Sequence, residues 1–513
     1  MNWSTIERLR GANVHVVGLA STEGAAVARF LWAEGVTHLT AHDFQPESEI
    51  EAAFRRMHVG LPRAERDRVW AELSHLPVNM CLGERYLEGI DDADAVFAGQ
   101  AWYMYEPNVP ALTDLRSRGV PFHSLSELYF GLWPSPILAV TGSNGKSTTS
   151  RLVETMLRET GRPVYYAGNE RRSVQVLDRL RDAETDAWLV LEVSNRQLID
   201  LEPRPRIGVI TNVLPNHLDE HGGSMAEYTA VKRRLLSAQG SDDIAVLNAD
   251  NPGTVGLADG LAGRACWFSR AGATSVDRAG GRGTAGAPPG AGAWMEGGEI
   301  LVNLGGGQPV MDVGPLTGPQ LRGEHNEENA LAASLASALA GADLGAIQRG
   351  LERFRGLRHR IQFVWASDGI EFYDDLNATT PEASLAALRT LQPPIVMVAG
   401  GGDKGLDLES LAEAISERVR WLVLLPGDGS DRIEHAVASR ERAPEITRVS
   451  DLQDAVTAVV EGARAGDSVV LSPACPYFFR MHYLDEDGHE IGFKKLLRDA
   501  TTRGTFREAD PDG

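Results

Sequence analysis

The chain is 513 residues long with 43% hydrophobic and 24% charged residues, which is typical of a folded globular protein with several domains. Its 71 acidic residues outnumber the 50 basic ones, and the net charge of −21 gives it no general attraction to nucleic acid. No apolar run reaches the roughly 18 residues of a membrane span, and residues 1–10 do not resemble a secretory leader, so we expect a cytoplasmic protein that binds neither membranes nor nucleic acids.

Short β-branched runs alternate with helix-length segments along the chain, a pattern that indicates parallel sheets with crossover helices. The first unit is predicted to begin with a strand at 14–18, a glycine turn at 19–24, an amphipathic helix to Trp32 and a strand at 37–43. A Trp-Pro-Ser-Pro tract at 133–136 indicates a linker.

Two more units repeat this alternation. Strands are predicted at 137–141, 187–193, 207–213 and 244–248 in the second unit, and at 395–400, 421–425 and 468–471 in the third. Residues 271–309 are dominated by Gly, Ala and Pro and predict a long loop or insertion. We therefore expect an α/β protein with three domains: a Rossmann-like domain at 1–134, a central P-loop domain at 135–356 and a Rossmann-like domain at 357–513.

The cysteines are three in number, Cys81, Cys266 and Cys475, without CxxC or Cys–His spacing. This pattern indicates neither a disulfide framework nor a zinc site. We expect all three to be small buried hydrophobic residues.

The strongest motif is Thr-Gly-Ser-Asn-Gly-Lys-Ser-Thr at 141–148, which follows an apolar strand. In such a loop, backbone N–H groups wrap phosphate oxygens, Lys146 reaches the β- and γ-phosphates, and a hydroxyl can bind Mg²⁺. Only two residues separate Gly142 from Gly145, whereas the general P-loop has four between its glycines. The motif predicts a nucleoside triphosphate site of a shortened type; a plain turn with a helix cap is the alternative.

Polar residues also follow two later strands. Glu192 ends one predicted strand, and His217 and Asp219 come just past another. Ligands of open parallel sheets lie beyond the carboxyl ends of the strands, so the P-loop, Glu192 and His217 are expected to converge and to hold a metal ion with nucleotide oxygens. Taken alone, each of these residues would more often have a surface or capping role.

Two further segments carry no functional signal by spacing alone. Lys232 lies in a predicted amphipathic helix and is expected to be solvated. Asn326 and Asn329 are two amides one turn apart at the start of another predicted helix.

Taken in chain order, these segments resemble the Mur ligases, which build the peptidoglycan stem peptide. The segments are the shortened loop, Glu192, Asn216-His217-Leu-Asp219, Lys232, His325-Asn326-Glu-Glu-Asn329 and His359-Arg360. The resemblance covers the whole chain, and residues 400–404 and 472–475 are most similar to the members that add glutamate. It implies an ATP-dependent amide ligase with UDP-N-acetylmuramoyl-L-alanine and glutamate as substrates, acting as a monomer.

The resemblance also implies roles for single residues. The ATP phosphates would be bound by Gly142, Ser143, Asn144, Gly145, Lys146, Ser147 and Thr148, and Mg²⁺ by Ser147, Glu192, His217 and a carbamylated Lys232. Asn326, Asn329 and Asp375 would contact the adenosine, and Arg360 the γ-phosphate. The catalytic group would thus be Lys146, His217, Lys232 and Arg360.

The first unit resembles the family's UDP site at Gly18 and at Asp43, although a plain Rossmann-like turn is the alternative. The aromatic tract 102–105 stands where relatives often have a Pro-Gly turn. It could stack on uracil or pack in the core.

The amino-acid pocket matches the family in part. Thr379 and Lys404 match, but Asn377 replaces a usual lysine, and Tyr477 lies where relatives have a small residue and a serine. Because a site built around particular hydrogen bonds rejects molecules that leave those groups unpaired, these changes favour L-glutamate, which one branch of the family adds, over D-glutamate. The alternatives are a D-glutamate ligase with both substitutions at the pocket rim, a folylpolyglutamate synthase, or a nucleotide-binding regulator without activity.

Overall fold

The structure is a computed structural model, which describes residues 1–99, 102–103, 105–168, 174–215, 218–280, 291–316, 321, 323–403, 405–475 and 493–501. Three sheets flanked by helices confirm the α/β class. The chain divides into two compact units, one of Met1–Leu316 with His325–Arg353 and one of Thr317–Glu324 with Phe354–Gly513. The first unit contains two sheets and the second contains one. The domain boundaries after residues 134 and 356 stay predictions.

The first sheet is parallel throughout, in the order β3-β2-β1-β4-β5. Its strands are β1 (Val14–Val17), β2 (Leu39–Asp43), β3 (Asn79–Leu82), β4 (Ala95–Ala98) and β5 (Phe122–His123). Its helices are α1 (Trp3–Leu9), α2 (Thr22–Ala33), α3 (Ile50–Met57), α4 (Arg63–Ser74), α5 (Val109–Ser117) and α6 (Leu125–Leu132). Because the chain reaches β3 on one side of β1 and returns to β4 on the other, a crevice opens at the carboxyl ends of β1 and β4.

The second sheet has nine described strands in the order β14-β13-β12-β11-β10-β9-β6-β8-β7. They are β6 (Ile137–Thr141), β7 (Val164–Ala167), β8 (Trp188–Glu192), β9 (Ile207–Ile210), β10 (Ile244–Asn248), β11 (Arg264–Ser269), β12 (Gly292–Glu296), β13 (Glu299–Asn303) and β14 (Met311–Pro315). The accompanying helices are α7 (Lys146–Arg158), α8 (Asn195–Leu198), α9 (Met225–Ser237), α10 (Pro252–Val255), α11 (Ala273–Gly280), α12 (Glu324–Leu339) and α13 (Leu344–Arg353). The sheet is parallel from β7 to β12 and antiparallel beyond.

The prediction of a long loop over 271–309 is wrong for the described part of that stretch. It contains α11, β12 and β13, while 281–290 lie outside the described residues. Gly297 and Gly298 both have positive φ, as a two-residue hairpin turn requires, and they join β12 to β13. Averaging the composition over the stretch hid this Gly-Gly turn and the apolar residues on either side of it.

The third sheet has the order β15-β16-β20-β17-β18-β19 and is parallel except for the β15–β16 pair. Its strands are β15 (Gln362–Ser367), β16 (Ile370–Asp374), β17 (Ile395–Ala399), β18 (Val419–Leu424), β19 (Glu445–Arg448) and β20 (Ser468–Leu471). Its helices are α14 (Pro381–Thr390), α15 (Glu409–Arg418), α16 (Asp428–Ala438), α17 (Leu452–Gly462) and α18 (Phe493–Thr501).

Burial confirms two of the three cysteine predictions. Cys266 and Cys475 are buried, but Cys81 is half-buried because it lies on β3, at the edge of the first sheet. All three are free thiols. Among the helices of the described residues, none is long and apolar enough to cross a membrane.

Candidate active site

The glycine loop at 142–145 joins the buried strand β6 to α7, as the motif predicts. Gly145 caps α7 with a φ of +82°, a conformation that glycine adopts without strain. Lys146 is the first residue of α7, and its Nζ folds back to donate to the carbonyl oxygens of Gly142 and Ser143, both at 3.0 Å. The ammonium group therefore lies over the loop whose backbone would receive the phosphates.

The segment after β9 fixes the shape of this loop. The Asn212 Oδ1 accepts a hydrogen bond from the Asn144 N–H at 2.9 Å, and the Thr211 hydroxyl donates to the Asn144 carbonyl at 2.6 Å. Ser143 Oγ donates to the Leu214 carbonyl at 2.9 Å. Sequence reasoning missed Thr211 and Asn212, although both follow a strand of the parallel sheet directly and so lie at its carboxyl edge.

Asn329 packs on the other side of the loop. Its Oδ1 accepts from the Thr149 hydroxyl at 3.2 Å, and a Cβ added to Gly145 would lie 2.1 Å from that oxygen. The Asn329 amide in turn donates to Asn326 Oδ1 at 3.2 Å. The two amides thus lie in line beside the loop, where the resemblance expects an adenosine contact.

Lys232 is fully buried, which contradicts the spacing-based expectation of a solvated side chain. Its Nζ has no hydrogen-bond acceptor among the described residues and lies 4.5 Å from the centre of the Tyr228 ring. Burial, with a smaller contribution from the charge of Lys146, lowers the pKa of Lys232 to about 6. Near neutral pH the amine is therefore largely uncharged and nucleophilic.

Tyr228 links this lysine to the glycine loop. Its hydroxyl lies 3.0 Å from Ser143 Oγ, and the ring is buried. Tyr228 and Lys232 are four residues apart on α9, so both face the loop from one side of the helix. The spacing in the sequence could have indicated that Lys232 is buried, since Tyr228 marks the apolar face of the helix and Lys232 follows one turn later.

Glu192 ends β8, and its partner in the neighbouring strand β6 is Val140, two residues before the glycine loop. The carboxylate is buried at the carboxyl edge of the sheet. His217 lies outside the described residues, so its predicted convergence with Glu192 stays a prediction. In the part of the chain that is described, no three His, Cys, Asp or Glu side chains form a metal-binding cluster. Hydroxyl, carbamate and phosphate oxygens are further groups that could bind a cation beside Glu192.

In the first sheet, Gly18 follows β1 with a φ of +93°, and a Cβ there would lie 2.2 Å from the Trp102 indole nitrogen. Asp43 ends β2 and is buried, with its oxygens accepting from the Ala20 N–H at 2.9 Å and the Gln45 N–H at 3.0 Å. Burial raises the pKa of Asp43. The carboxylate organises the turn. The predicted places of Gly18 and Asp43 in a UDP site stay predictions.

In the second unit, Arg360 is exposed between two residues with positive φ, His359 and Ile361. His359 Nδ1 lies 2.8 Å from Asp374 Oδ2, and the Ile361 N–H donates to Asp375 Oδ1 at 3.0 Å. Two neighbouring carboxylates thus hold the residues on both sides of Arg360, one through the His359 side chain and the other through the Ile361 backbone. The sequence analysis did not identify the His359–Asp374 pair.

Asp375 is buried, and its second oxygen accepts from the Ser472 hydroxyl at 2.7 Å. Burial raises its pKa to about 7. These contacts make Asp375 a positioning group for the loop that carries Arg360; its predicted adenosine contact stays a prediction.

Of the four residues predicted to form the amino-acid pocket, the structure describes Asn377 and Thr379. Asn377 is exposed and donates from Nδ2 to the Arg358 carbonyl at 3.4 Å, and Thr379 is half-buried two residues later. Lys404 and Tyr477 lie outside the described residues. Their expected roles stay predictions.

A glycine loop between a buried strand and a helix that begins with a lysine is typical of enzymes that use ATP. Comparison with known proteins agrees with this class. Residues 140–280 match the model of the Mur ligase middle domain, and residues 359–475 match that of the Mur ligase glutamate ligase domain.

Relatives of known name extend the similarity over most of the chain. A UDP-N-acetylmuramoylalanine–D-glutamate ligase of Symbiobacterium thermophilum is 37% identical over 427 residues, which is 83% of this chain and 89% of the relative. One from Caldanaerobacter subterraneus subsp. tengcongensis is 32% identical over 96% of this chain and 99% of its own. The crystal structure of UDP-N-acetylmuramate–alanine ligase from Thermotoga maritima shares the fold, with a TM-score of 0.57, 18% identity and coverage of 96% of this chain and 99% of that one.

The chain belongs to the Mur ligase family. It is therefore an ATP-dependent, ADP-forming amide ligase of peptidoglycan biosynthesis.

Proposed function

We propose that this enzyme adds D-glutamate to the L-alanyl carboxylate of UDP-N-acetylmuramoyl-L-alanine. The observation that carries the ligase chemistry is the burial of Lys232, whose uncharged amine lies beside Tyr228 and the glycine loop. The choice of amino acid is supported by relatives named UDP-N-acetylmuramoylalanine–D-glutamate ligase, which are 30–37% identical to this chain. We further propose that it acts in the cytoplasm as a monomer, as the sequence predicts.

The reaction proceeds in two steps. The L-alanyl carboxylate attacks the γ-phosphorus of ATP and ADP leaves, which forms an acyl phosphate. The uncharged amine of glutamate then attacks the acyl carbon. The tetrahedral adduct loses a proton from its nitrogen to solvent and expels inorganic phosphate to leave an amide. No side chain forms a covalent bond to the substrate, so the enzyme contributes by positioning groups and by neutralising charge.

Lys146 is the cation closest to the transferred phosphoryl group in this proposal. Its ammonium already lies 3.0 Å from two carbonyl oxygens of the loop, and a phosphate oxygen in the loop would replace them as its partner. Such a contact is strongest when negative charge develops in the transition state. Arg360, held between two carboxylate-bound residues, is proposed to contact the γ-phosphate.

Lys232 is proposed to act as a carbamate. Its neutral amine attacks the carbon of CO₂ and loses a proton, and the product is an anion with two oxygens. This conversion replaces a buried amine, for which the described residues provide no acceptor, by a group that can bind a cation. When bound, Mg²⁺ supplies positive charge that neutralises the phosphates, and oxygens of Ser147, Glu192 and the carbamate, with the predicted ligand His217, would hold it.

The prediction of L-glutamate from the sequence rested on Asn377 and Tyr477. Asn377 is exposed and hydrogen-bonds to a neighbouring backbone carbonyl, which is compatible with a place at the pocket rim. A residue at the rim contributes less to discrimination than one whose hydrogen bonds are buried. This geometry and the names of the relatives therefore favour the D-enantiomer.

The test is to compare initial rates of phosphate release with UDP-N-acetylmuramoyl-L-alanine and each enantiomer of glutamate at subsaturating concentration. We expect kcat/KM for D-glutamate to exceed that for L-glutamate about 100-fold or more. Faster turnover of L-glutamate would overturn the stereochemical proposal and leave the ligase class intact. Absence of phosphate release with both enantiomers would overturn the substrate assignment.

A further inference from the structure

His221 is a buried histidine for which the proposed mechanism has no role. It ends a 3₁₀ turn at Leu218–His221 and is 5% exposed. The Asn195 Nδ2 lies 3.1 Å from its Nε2. Since an amide nitrogen only donates, Nε2 accepts this hydrogen bond, and the neutral ring carries its proton on Nδ1. Asn195 therefore fixes the orientation of the imidazole.

Two neighbouring contacts hold the 3₁₀ turn beside the end of β8. Asn195 is the first residue of α8 and stands three residues after Glu192, the last residue of β8. The next residue, Arg196, donates from Nε to Glu220 Oε2 at 2.9 Å and from Nη2 to the other oxygen. Because the Glu220 side chain is only 8% exposed, salt and water screen this ion pair less than a surface pair. Two consecutive residues of the turn are thus bound to two consecutive residues of α8.

On its other side, His221 contacts α9. Its ring meets the Tyr228 ring edge-on, with the ring centres 5.2 Å apart and the planes at 63°. Aromatic rings favour an edge-to-face contact at this distance. The His221 carbonyl accepts from the Ser224 N–H at 2.9 Å, and the Ser224 hydroxyl caps α9. The same residue therefore holds the start of α9 and an aromatic ring one turn further along the helix.

Tyr228 extends this contact to two groups of the candidate active site. Ser143 Oγ gives its single proton to the Leu214 carbonyl, so the Tyr228 hydroxyl donates to Ser143 Oγ at 3.0 Å. The ring centre of Tyr228 lies 4.5 Å from Lys232 Nζ. Because Tyr228 is buried in a close-packed interior, a shift of its ring would disturb both contacts. The position of this ring thus affects the glycine loop and the surroundings of the amine.

We propose that His221 is a positioning residue of this ligase. Held by Asn195, it fixes the Tyr228 ring, and through that ring it shapes the glycine loop for the nucleotide and the site of the Lys232 amine for carbamylation. The proposal rests on the proposed function for the role of Lys232, whereas its part on the glycine loop needs only nucleotide binding. His221 acts through Tyr228 and not on the reacting atoms.

The test measures the affinity of the full-length protein for ADP by titration calorimetry, without turnover. His221→Phe keeps a ring beside Tyr228 but has no acceptor for Asn195, and Asn195→Ala removes the same hydrogen bond from its other end. A ring that is no longer anchored must be ordered when the nucleotide binds, and this ordering uses part of the binding free energy. Each variant should therefore bind ADP about fivefold or more weakly than the natural chain.

His123→Phe is the matched control. His123 also has one ring nitrogen in a hydrogen bond, to Glu127 at 2.8 Å, and one aromatic neighbour, Phe97, with the ring centres 5.2 Å apart. It lies on β5 at the edge of the first sheet, and not in the sheet that carries the glycine loop. This variant should bind ADP as the natural chain does.

A double-mutant cycle distinguishes this role from a general loss of structure. Tyr228→Phe removes the hydroxyl that donates to Ser143 and should itself weaken ADP binding. If His221 acts through that hydroxyl, then adding His221→Phe to Tyr228→Phe should weaken binding by a further factor below about twofold. A larger further loss would overturn the proposal, as would a loss below about fivefold for His221→Phe in the natural background.

Circular dichroism checks that each variant is folded before it is titrated. If His221→Phe does not fold, Asn195→Ala takes its place in the cycle, because it shortens a side chain without adding volume to the interior. The same limits then decide for or against the proposal.

A second measurement reports on the Lys232 site. The intensity of the carbamate resonance is followed as ¹³C-labelled bicarbonate is added. His221→Phe should need about fivefold or more bicarbonate for half-occupancy, whereas His123→Phe should not differ from the natural chain. A half-occupancy of His221→Phe at the natural concentration would overturn the part of the proposal that concerns the amine. If the natural chain gives no carbamate resonance, the proposed role of Lys232 fails, and the ADP titrations still decide on His221.

Discussion

Substitution of Lys232 by methionine removes the amine that we propose to be carbamylated while keeping an unbranched side chain of similar length. The position is fully buried, so an apolar replacement fills the same space without exposing a new surface. We expect Lys232→Met to fold and to lose activity, because the anion that would bind a cation beside the phosphates can no longer form.

The magnitude follows from the pKa of the amine. Burial, and secondarily the charge of Lys146, lowers the pKa of Lys232 from 10.5 to about 6. At a pH of about 8 roughly 99% of the amine is then uncharged, compared with about 0.3% for an ordinary lysine, a gain of about 300-fold in the form that reacts with CO₂. Because the folded pKa lies below the ordinary value, this form is lost as the pH falls through about 6. Activity that depends on CO₂ should decline in the same window.

The assay measures phosphate release in buffer depleted of CO₂ and again after addition of bicarbonate. The natural chain should lose activity on depletion and regain it with bicarbonate, and ¹³C-labelled bicarbonate should give a carbamate resonance. Lys232→Met should show neither recovery nor resonance. Lys495→Met, which changes an exposed lysine on α18, is the matched control and should behave as the natural chain does.

Full activity of Lys232→Met would refute the reasoning, as would a natural chain whose rate is independent of CO₂ and which gives no carbamate resonance. Partial recovery of Lys232→Ala by small carboxylates would support it, since a free carboxylate can replace the missing anion in the cavity.

Three further predictions concern the glycine loop and the second unit. Lys146→Ala should lower kcat about 100-fold or more in the phosphate-release assay without a change in melting temperature, because its charge acts on the transferred phosphoryl group. Gly145→Ala should raise KM for ATP at least about tenfold, since the new Cβ would lie 2.1 Å from Asn329 Oδ1, whereas Gly161→Ala, at a similar φ of +78° with open space around it, should leave that KM unchanged. Asp375 has its pKa raised to about 7 by burial, so the folded unit keeps a proton that the unfolded chain releases, and the stability of this unit should fall by about 2 kcal/mol between about pH 5 and pH 7. Asp375→Asn should remove that slope in denaturant titrations, and an unchanged slope would contradict the assignment.

The α/β class and the glycine loop could be predicted from the sequence because both depend on local patterns. Strands predicted at 137–141, 244–248 and 468–471 match the structure residue for residue, since each is a short apolar run that a turn or a helix start follows directly. A loop that joins a buried strand to a helix needs residues with positive φ, and Gly145 supplies this locally.

Burial that depends on tertiary packing was harder to predict. The charge of Lys232 predicts a solvated side chain. Its position on the helix indicates burial instead, since Tyr228 stands four residues before it and Leu236 four residues after it on the same buried face. Asp375 is a second example of burial that depends on tertiary packing. A family role in ligand binding suggests an accessible carboxylate, but Ser472, 97 residues along the chain, closes over it.

The amino-acid composition of residues 271–309 wrongly predicted a long loop, because composition does not record the order of the residues. A high content of Gly and Ala was averaged over the stretch, whereas the hairpin of β12 and β13 depends on the order of a few residues. The Gly-Gly pair at 297–298 between alternating apolar residues was the local signal.

The central claim is that the chain makes an amide bond through an acyl phosphate. The most direct measurement uses UDP-N-acetylmuramoyl-L-alanine with ¹⁸O in the L-alanyl carboxylate, D-glutamate and ATP, and follows the label by mass spectrometry of the inorganic phosphate. The proposed mechanism predicts that one labelled oxygen per turnover moves from the carboxylate to phosphate, because that oxygen bridges carbon and phosphorus in the intermediate. Phosphate released without label, or product formed without release of ADP, would contradict it.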